Sequence, residues 1–363
     1  MSLPSSGDDL RDAELTVVIP SYNSATWLPS TIDALAESVR VAGVAVEVLV
    51  IDDGSEDDTV AIVGSLAGAF PGDLRVVRQE NQGRFLARWA GIRQARAEHV
   101  LLLDSRVLLG PRSLGHVMSG VAAEPQIAGW NAHVDIDPDA PLVGHFWEVP
   151  THVFWGAYLR APRPFDLTGA NFDSAPKGTT AFLARKDVLI VAFEQAWPDG
   201  DAKLMSDDTK ILRWLADFGG IRLDPGFSVI YRPRTTVKGF VKHSLDRGTM
   251  FVDSYAGTTL LRSAAILIAS IAPVVVLGAI VALAATGAWP GALLVLGAVL
   301  LLLLVPLVPA AINRCPGRGL AAYCVILPVF TVPFWFGLVR GVFVHRGAFA
   351  RRAEAASAGK AKQ

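Results

Sequence analysis

Cysteine is scarce in this 363-residue chain: the two present, Cys315 and Cys324, lie in its C-terminal third. They cannot form a disulfide framework, so a reducing compartment is the simpler expectation. Their number also excludes a cysteine-rich zinc site. At about 100 to 200 residues per domain, the chain has room for two or three units and can bury a large core without covalent staples.

Charge is missing from one long stretch, because Asp, Glu, Lys and Arg are all absent from the 51 residues between Arg262 and Arg314. A helix needs about 20 apolar residues to cross a bilayer, so there is room for two crossings. We expect these spans at about 264–285 and 292–312, joined by a short uncharged turn.

A third apolar segment, 319–339, is flanked by arginines on both sides. Positively charged loops stay cytoplasmic, so both of its ends are expected on the cytoplasmic side. Pro328 and Pro333 also interrupt the segment. We therefore expect a re-entrant or interfacial hairpin rather than a full span, with spanning as the alternative.

The net charge of −1 conceals two unequal parts. Residues 263–363 carry eight Lys or Arg and one acid, whereas the first 262 residues carry 25 basic and 33 acidic groups. This acidic excess argues against a nucleic-acid surface. The start of the chain is polar, so we expect no cleaved secretory signal there.

The chain is thus predicted to be a water-soluble domain followed by a membrane domain. Arginines after the second span place the water-soluble domain on the cytoplasmic side. The expected segments are a flexible N-terminus at 1–14, the main domain at 15–250, the membrane domain at 251–345 and a basic disordered tail at 346–363.

Apolar, β-rich runs alternate with helical patterns near the start of the chain. The predicted strands are Leu15–Ile19, Val46–Ile51, Leu74–Arg78 and Val100–Leu103, and helices are expected near 26–39, 57–68 and 84–97. Near-continuous apolar strands separated by helices indicate a parallel sheet covered on both faces. The predicted fold class is therefore α/β, with a doubly wound, mostly parallel sheet.

Periodicity breaks down from about 129 to 180, where aromatic residues and prolines are frequent. We expect an irregular insertion or an acceptor-side layer in this region. Helical spacing resumes at 207–217, and Gly219-Gly220 is a typical stop signal for a helix.

Polar clusters follow three of the predicted strands at the point where each strand ends. They are Pro20-Ser21-Tyr22-Asn23, Asp52-Asp53-Gly54-Ser55 and Asp104-Ser105-Arg106. Ligands of doubly wound sheets bind outside the carboxyl ends of the strands. We expect the three clusters to converge on one binding site.

Three motifs stand in a fixed order: Val-Val-Ile-Pro-Ser-Tyr-Asn at 17–23, Ile-Asp-Asp-Gly-Ser-Glu-Asp-Asp-Thr at 51–59 and Asn-Gln-Gly-Arg-Phe-Leu-Ala-Arg at 81–88. Together they resemble the family 2 glycosyltransferases of GT-A fold. The C-terminal arrangement is similar to that of the membrane-attached members that build bacterial exopolysaccharides and lipid-linked glycans.

The resemblance implies a nucleotide-sugar donor, and a UDP-sugar is the expected one. Residues implied in donor binding are Pro20, Tyr22, Asn23, Asp52, Asp53, Arg84, Arg88, Asp104 and Arg106. An alternative for Asp-Asp-Gly-Ser is a turn that caps the following helix. Solvated salt bridges are the alternative for the two arginines of 84–88, which lie four apart on one helix face.

Family members end the fourth strand with Asp-x-Asp, whose carboxylates hold Mg²⁺ or Mn²⁺ against the donor diphosphate. Here Asp104-Ser105-Arg106 replaces the last carboxylate by a cation. Arg106 can neutralise a diphosphate directly through bidentate hydrogen bonds, which defines a metal-independent variant. Alternatively, Asp104 holds a metal ion together with the phosphates, and we expect this retained but weakened metal dependence.

Ser206-Asp207-Asp208-Thr209 heads a predicted helix and is similar to the family's acidic pair. Asp208 takes the position of the catalytic base, beside Asp207, and would accept a hydroxyl proton while the diphosphate leaves on the opposite face. The alternative is that Ser206 and Asp207 only cap the helix. A polyprenyl phosphate has a second pKa of about 6, so it is already an anion at neutral pH and needs little help from a general base. The acidic pair therefore favours a hydroxyl acceptor.

A basic stretch precedes the first span, and four of its side chains lie at helical spacing: Lys238, Lys242, His243 and Arg247. Docking onto anionic headgroups, at about 1 kcal/mol per charge, is the favoured interpretation, and contact with the donor diphosphate is the alternative. Three other histidines have no regular metal-ligand spacing and are expected to be structural: His133, His145 and His152.

The resemblance therefore implies an inverting glycosyltransferase at the cytoplasmic face of a bacterial inner membrane, acting in cell-envelope or exopolysaccharide synthesis. It is expected to be nonprocessive, because the Gln-x-x-Arg-Trp motif of processive synthases is missing. The expected acceptor is a hydroxyl of a lipid-linked or membrane-proximal glycan. Transfer to polyprenyl phosphate is one alternative, and an inactive membrane-anchored subunit that binds nucleotide sugars is another. Membrane lipids are expected partners and nucleic acid is not.

Overall fold

A computed structural model describes residues 13–198, 200–206 and 208–349. The strands are β1 (Leu15–Ser21), β2 (Val46–Asp53), β3 (Asp73–Gln79), β4 (His99–Leu103), β5 (Val107–Leu109), β6 (Gly129–Ile136), β7 (Phe165–Leu167), β8 (Ala181–Arg185) and β9 (Ile221–Tyr231). The helices up to the membrane part are α1 (Leu28–Ala42), α2 (Thr59–Ala67), α3 (Arg84–Gln94), α4 (Ser113–Ala123), α5 (Glu148–Leu159), α6 (Lys186–Gln195), α7 (Thr209–Phe218) and α8 (Val237–Tyr255). Short 3-10 turns lie at Leu142–His145, Gly169–Asn171 and Ala202–Leu204.

All nine of these strands belong to one mixed sheet. Its order is β3-β2-β1-β4-β8-β6-β9-β5, and β7 also pairs with β9. The β3-β2-β1-β4 part is parallel, β8 is antiparallel to both of its neighbours, and β6 and β9 are parallel to each other. The predicted doubly wound α/β fold is thus confirmed, with an antiparallel strand inserted at β8.

Helices cover both faces of the sheet, as the apolar strands predict. One core packs α1, α2 and α4 against the sheet, with Leu35, Val63 and Val117 at its centre. The other packs α3, α6 and α7 on the opposite face. β1 and β2 are buried along their whole length, which explains why their sequences show no alternation of polar and apolar residues.

The region 129–180 is more regular than the sequence analysis predicts. β6 and β8 are interior strands of the sheet, and α5 is a helix of 12 residues. Polar residues at alternate positions obscure β6, but they have tertiary partners: Asn131 accepts a hydrogen bond from the Gly178 amide, and His133 bonds the Tyr158 hydroxyl. The prediction of an irregular insertion is therefore wrong for these elements.

The membrane part consists of α9 (Leu260–Ala285), α10 (Trp289–Leu304), α11 (Leu307–Ile312) and α12 (Gly317–Val344). Within the described residues, three helical stretches are long and apolar enough to cross a membrane: 260–285, 289–312 and 317–344. The first two correspond to the expected spans. The hairpin expected at 319–339 is wrong, because α12 runs as one helix through Pro328 and Pro333.

Glycines bring α8 and α12 into very close contact. A Cβ on Gly337 would lie 2.0 Å from the Leu245 carbonyl oxygen, and one on Gly248 would lie 2.3 Å from the Phe334 carbonyl oxygen. The Thr249 hydroxyl donates a hydrogen bond to the Gly337 carbonyl at 3.0 Å. Small residues at this crossing therefore let two backbones touch, as they do between membrane helices.

Two of the expected boundaries differ from those in the structure. α8 continues through the boundary expected between residues 250 and 251. The segment 346–349 forms a helical turn, and Phe349 packs beside Val252, so the first residues of the expected tail are folded. Residues 1–12 and 350–363, which carry the rest of the terminal predictions, lie outside the described residues.

Candidate functional site

A cavity of about 860 Å³ opens at the carboxyl ends of β1, β2 and β4, where the three polar clusters were expected to converge. Its lining includes ten residues that the sequence singles out: Pro20, Tyr22, Asn23, Asp53, Arg84, Asp104, Arg106, Lys242, His243 and Arg247. One face of α8 closes the side opposite the strands. The strand ends and the basic helix therefore belong to a single site.

Hydrogen bonds join the three strand-end loops to one another. The Asn23 side-chain carbonyl accepts from the Glu56 amide at 2.9 Å, and the Asn23 amide donates to the Ser55 hydroxyl. Ser24 and Ser105 share a hydroxyl contact of 3.0 Å. Asn23 has a φ of 48°, a backbone conformation that Asn tolerates better than most residues. These bonds make the floor of the cavity a preorganised surface.

The two aspartates after β2 have different surroundings. Asp53 lines the cavity, and its carboxylate accepts hydrogen bonds from the Gln82 and Gly83 amides, both at 2.8 Å. Asp52 is fully buried and accepts from the Ser55 amide. The structure thus brings Asp53 to the cavity surface and leaves Asp52 behind it.

Arg88 lies under the cavity rather than in its lining. Its side chain is 1% exposed, and its Nη2 atom is 2.6 Å from the Asp104 carboxylate. Asp104 itself lines the cavity and is 19% exposed. The arginine therefore positions and compensates the carboxylate that ends β4.

The carboxylates at this point do not by themselves form a site for a divalent ion. Among the residues that the structure describes, no group of three or more His, Cys, Asp or Glu side chains could hold a metal ion. Asp104 is the carboxylate offered by the Asp-Ser-Arg cluster, and one of its oxygens is already bound by Arg88. The other cavity residues of this cluster are Ser105 and the cation Arg106.

Arg106 is held in place by aromatic and backbone contacts. Its guanidinium lies 4.3 Å from the centre of the Trp27 ring and donates to the Pro233 carbonyl. Burial and the neighbouring Arg234 lower the pKa of Arg106 to about 10. It therefore keeps its charge at neutral pH and stands next to a second cation of the cavity lining.

α8 presents three of its four predicted residues to the cavity. Lys242, His243 and Arg247 line it, whereas Lys238 is exposed outside it. Burial and the nearby Arg247 and Arg234 hold the pKa of His243 well below its usual range. Arg247 donates to the His243 ring nitrogen at 3.3 Å, which fits a neutral imidazole.

Asp208 immediately precedes α7 and holds its own loop together. Its carboxylate accepts hydrogen bonds from the Ser206 and Thr209 hydroxyls, both at 3.0 Å. Asp208 is outside the lining of the cavity, but Met205, three residues earlier, is part of it. Asp207 lies outside the described residues.

The loop before Asp208 is anchored to the membrane part of the chain. The Asp253 carboxylate on α8 accepts hydrogen bonds from the Ser206 amide at 3.0 Å and the Lys210 ammonium at 2.7 Å. After α12, the His345 ring donates to the Leu204 carbonyl at 3.1 Å. The placement of Asp208 therefore depends on α8 and on the end of α12.

Cations gather beside Asp208 on the side nearest α9. Lys177 is 8% exposed, and burial lowers its pKa to about 8. Asp173 forms an ion pair of 2.6 Å with Arg262 at the start of α9 and lies 3.9 Å from both Lys177 and Arg213. The Nη2 atom of Arg213 is buried and has no hydrogen-bond partner among the described residues.

The three histidines expected to be structural all have partners within the protein. His133 bonds the Tyr158 hydroxyl, His145 contacts the Glu148 carboxylate at 3.2 Å, and His152 donates to the Glu148 carbonyl.

Several cavity residues were not singled out from the sequence. Among them are Lys203, Arg234, Asp246 and Met250. Arg234 belongs to the basic stretch before α8. The sequence shows its charge, but it does not show that the side chain faces the cavity. Asp246 and Met250 lie one helical turn apart on the cavity face of α8, a periodicity that could have found them.

Comparisons with known proteins agree with this geometry. Residues 16–151 match the family model described as glycosyl transferase family 2. The strand-end part of the cavity, from Pro20 to Arg106, lies within the residues that are similar to this family.

Two curated relatives illustrate the likeness. The chain is 37% identical over 122 residues to the succinoglycan biosynthesis protein ExoO of Rhizobium meliloti (strain 1021), covering 33% of this chain and 34% of that protein. It is 28% identical over 118 residues to the undecaprenyl-phosphate 4-deoxy-4-formamido-L-arabinose transferase of Sodalis glossinidius (strain morsitans), covering 32% and 36%. The chain thus spans about a third of the length of the relatives it matches.

Among solved structures, the mannosyltransferase PcManGT from Pyrobaculum calidifontis, in complex with GDP-Man and Mn²⁺, is similar in fold. The TM-score is 0.51 at 18% identity, and the match covers 91% of this chain and 86% of that one. At this identity the likeness shows the fold alone.

Proposed function

We propose that the chain is an enzyme that transfers a sugar, with inversion, from a nucleotide-sugar donor to a hydroxyl of a lipid-linked or membrane-proximal glycan in envelope polysaccharide synthesis. The observation that carries the proposal is the single cavity that joins three polar strand ends to a basic helix leading into the membrane part. The two relatives, a succinoglycan biosynthesis protein and an undecaprenyl-phosphate 4-deoxy-4-formamido-L-arabinose transferase, support the same setting.

The donor nucleotide is assigned to the strand ends. Tyr22, Asn23 and Asp53 surround the floor of the cavity and offer an aromatic ring, an amide and a carboxylate. These groups suit a base and the hydroxyls of a ribose, which need stacking and hydrogen-bond acceptors. A UDP-sugar is the proposed donor.

The donor diphosphate is assigned to the cations of the cavity lining. Those that line it are Arg84, Arg106, Lys203, Arg234, Lys242 and Arg247. Guanidinium groups bind phosphate oxygens in a bidentate manner and stabilise the charge that develops on a leaving diphosphate. Because Arg88 already binds one oxygen of Asp104, we propose that Arg106 and Arg234 neutralise the diphosphate directly.

Asp208 is proposed as the general base. It would take the proton from the acceptor hydroxyl as the anomeric carbon is attacked from the face opposite the diphosphate. It stands at the head of α7, after a loop that is hydrogen-bonded to α8 and to the residue that follows α12, which supports a role close to the membrane helices.

Turnover by the purified full-length protein tests the donor and the metal together. UDP-, GDP- and dTDP-sugars would each be supplied with a membrane glycolipid extract and with Mg²⁺, Mn²⁺ or EDTA. We expect transfer from a UDP-sugar to persist in EDTA. Transfer that needs a metal would contradict the arginine assignment and return that role to Asp104 with an ion.

Asp208→Asn tests the base. We expect transfer to fall by about 10²-fold or more while donor affinity is kept, because asparagine accepts hydrogen bonds but no proton. Asp217→Asn, which removes an exposed carboxylate from the same helix, is the matched control and should leave turnover unchanged. Wild-type protein that binds donor but never transfers sugar would instead indicate an inactive binding subunit.

A polyprenyl phosphate acceptor is the second candidate, and the cations beside Asp208 favour it. Three cations, Lys177, Arg213 and Arg262, stand near two carboxylates, Asp173 and Asp208. Arg262 lies in the first turn of α9, the first membrane helix. A phosphate arriving from the membrane would find its charge compensated there.

The two acceptors predict different variant effects. If the acceptor is polyprenyl phosphate, Arg213→Met should abolish transfer and Asp208→Asn should reduce it only slightly, because a phosphate is already an anion near neutral pH. If the acceptor is a hydroxyl, the order of the two effects should be reversed. Radiolabelled donor with undecaprenyl phosphate or with a glycolipid provides the assay.

The proposed location is the bacterial inner membrane, with the catalytic domain in the cytoplasm. Apolar side chains of α9 and α10 are widely exposed, and Arg314 and Arg318 follow α11. Arginine-rich loops stay on the cytoplasmic side. Arg262, at the beginning of α9, forms a hydrogen bond with Asp173 of the catalytic domain, so this end of α9 lies beside that domain.

A further inference from the structure

Both ends of α12 contact the glycosyltransferase domain. Near its beginning, Arg318 donates a hydrogen bond to the Pro138 carbonyl. Directly after its end, His345 donates to the Leu204 carbonyl at 3.1 Å. The helix has 28 residues and is about 42 Å long, so it must lie along the domain rather than lead away from it.

Two side chains of α12, twelve residues apart, contact the two other membrane helices at similar depth. The Trp335 indole donates to the Ser270 carbonyl of α9, and the Tyr323 hydroxyl donates to the Leu303 carbonyl of α10. Ser270 is about 12 Å along the helix from Arg262, which binds the domain. Leu303 is about 13 Å from Ile312, next to the domain contact of Asn313 with the His152 carbonyl.

A helix that spans the bilayer beside α9 would meet it at increasing depth. α12 instead meets two antiparallel helices at one level, so its axis lies across them.

The two faces of α12 have different surroundings. One packs on α8, the helix that closes the donor cavity, through Gly337 and Gly341. The other is a continuous stripe of exposed apolar residues at helical spacing: Val325, Pro328, Val332, Phe336 and Phe343. α9 and α10 also expose many large apolar side chains.

We infer that α12 is an interfacial helix: it lies in the plane of the membrane at the boundary between headgroups and acyl chains, with its apolar stripe in the lipid. The inference rests on the membrane placement under Proposed function. Such helices bury one apolar face about 5 to 10 Å into this boundary. α12 thereby holds α8, one face of which lines the donor cavity, at the membrane surface.

Charge at both ends of α12 fits this position. Arg314 and Arg318 stand at its beginning, and Arg340 and Arg346 at its end. Anionic headgroups attract each such residue by about 1 kcal/mol. Both arginine pairs then lie on the same side of the membrane, which removes the conflict that a third crossing creates with the distribution of positive charge.

Labelling of single cysteines from each side of the membrane tests the inference. All variants also carry Cys324→Ala, which removes the exposed native cysteine. Cys315 is buried, and the labelling of a protein that has Cys315 as its one cysteine is the background signal. Three reporters occupy exposed positions: Gly68→Cys in the domain, Ala288→Cys between α9 and α10, and Gly347→Cys after α12. A Cβ at 68 or 347 meets no atom within 4 Å, so these variants should fold.

With a membrane-impermeant maleimide on spheroplasts, we expect only Ala288→Cys to react, and all three after permeabilisation. Reaction of Gly347→Cys together with Ala288→Cys would show that α12 crosses and would overturn the inference. If Gly347→Cys and Gly68→Cys both react from outside and Ala288→Cys does not, α12 is interfacial but the proposed cytoplasmic side is wrong. An Ala288→Cys that shares the side of Gly68→Cys would overturn the membrane placement and the inference together.

Depth measurements give a second test that does not depend on sidedness. A spin label at Val332→Cys, in the middle of the exposed stripe, is compared with one at Val275→Cys in the middle of α9. In nanodiscs we expect position 332 to be close to the headgroups and position 275 close to the bilayer centre. Equal depths would overturn the inference.

Discussion

A buried ion pair explains why the end of β4 offers so little to a metal ion. Arg88 is almost fully buried, and its guanidinium contacts the Asp104 carboxylate at 2.6 Å. One oxygen of Asp104 is therefore occupied, while the adjacent Arg106 brings positive charge to the cavity. At the scale of single residues, this arrangement supports the proposal that arginine neutralises the donor diphosphate.

Arg88→Met should reveal how strongly this pair holds the site. Removing one partner leaves an uncompensated carboxylate, and breaking buried pairs costs about 3 to 5 kcal/mol. We expect a clear fall of the thermal midpoint of the purified protein in detergent, measured by intrinsic fluorescence.

Arg93→Met is the matched control, because Arg93 is exposed on the same helix. Surface substitutions of this kind change stability by about 0.5 kcal/mol or less. Equal midpoints for the two variants would show that Arg88 is not needed for stability.

Helix contacts determine the shape of the donor cavity. α8 has one face in the cavity and the other on α12, and the two helices approach to backbone contact at Gly248 and Gly337. Asp253 at the end of α8 also holds the loop before Asp208. At the scale of elements, α8 therefore couples the membrane part to both the donor side and the proposed base.

Gly337→Ala should loosen this coupling. The added Cβ would lie 2.0 Å from the Leu245 carbonyl oxygen, so the helices must separate, and overpacking of this kind costs about 1 to 3 kcal/mol. We expect a lower thermal midpoint and a weaker affinity for the donor nucleotide, measured by calorimetry in nanodiscs.

Gly278→Ala on α9 provides the comparison, since a Cβ there meets nothing within 4 Å. Alanine also favours helix over glycine, so its midpoint should be unchanged or slightly raised. A Gly337→Ala protein that behaves like the Gly278→Ala protein would contradict the close contact of α8 and α12.

The whole molecule combines an α/β domain with apolar helices that the described residues leave largely uncovered. Few side chains of α9 and of the α10–α11 stretch are buried. A surface this apolar needs lipid, whereas basic side chains alone would give salt-sensitive binding to headgroups.

Extraction of isolated membranes distinguishes these two modes. We expect the full chain to stay in the membrane pellet after high salt and after alkaline carbonate, and to dissolve only in detergent. Release by high salt would mean that the protein is held by charge at the surface and would contradict the crossing of α9 and α10.

Local sequence patterns determined much of this protein. β1 to β4, α1 to α3 and the first two apolar helices follow from hydrophobic runs and periodicity, because a buried strand or a membrane helix depends mainly on its own residues. The convergence of the three polar clusters also followed, because parallel strands end at one edge of the sheet.

Only the tertiary structure decided the remainder. Asn131 and His133 make β6 look irregular until their partners from distant segments are known. The pairing of Arg88 with Asp104, 16 residues apart, and the exclusion of Asp52 from the cavity surface depend on how α3 packs under the sheet. The path of α12 is the clearest case. Its composition allows a crossing, but both of its ends contact the same domain, so the helix lies along that domain. Packing determines the partners of a helix, and its own hydrophobicity does not.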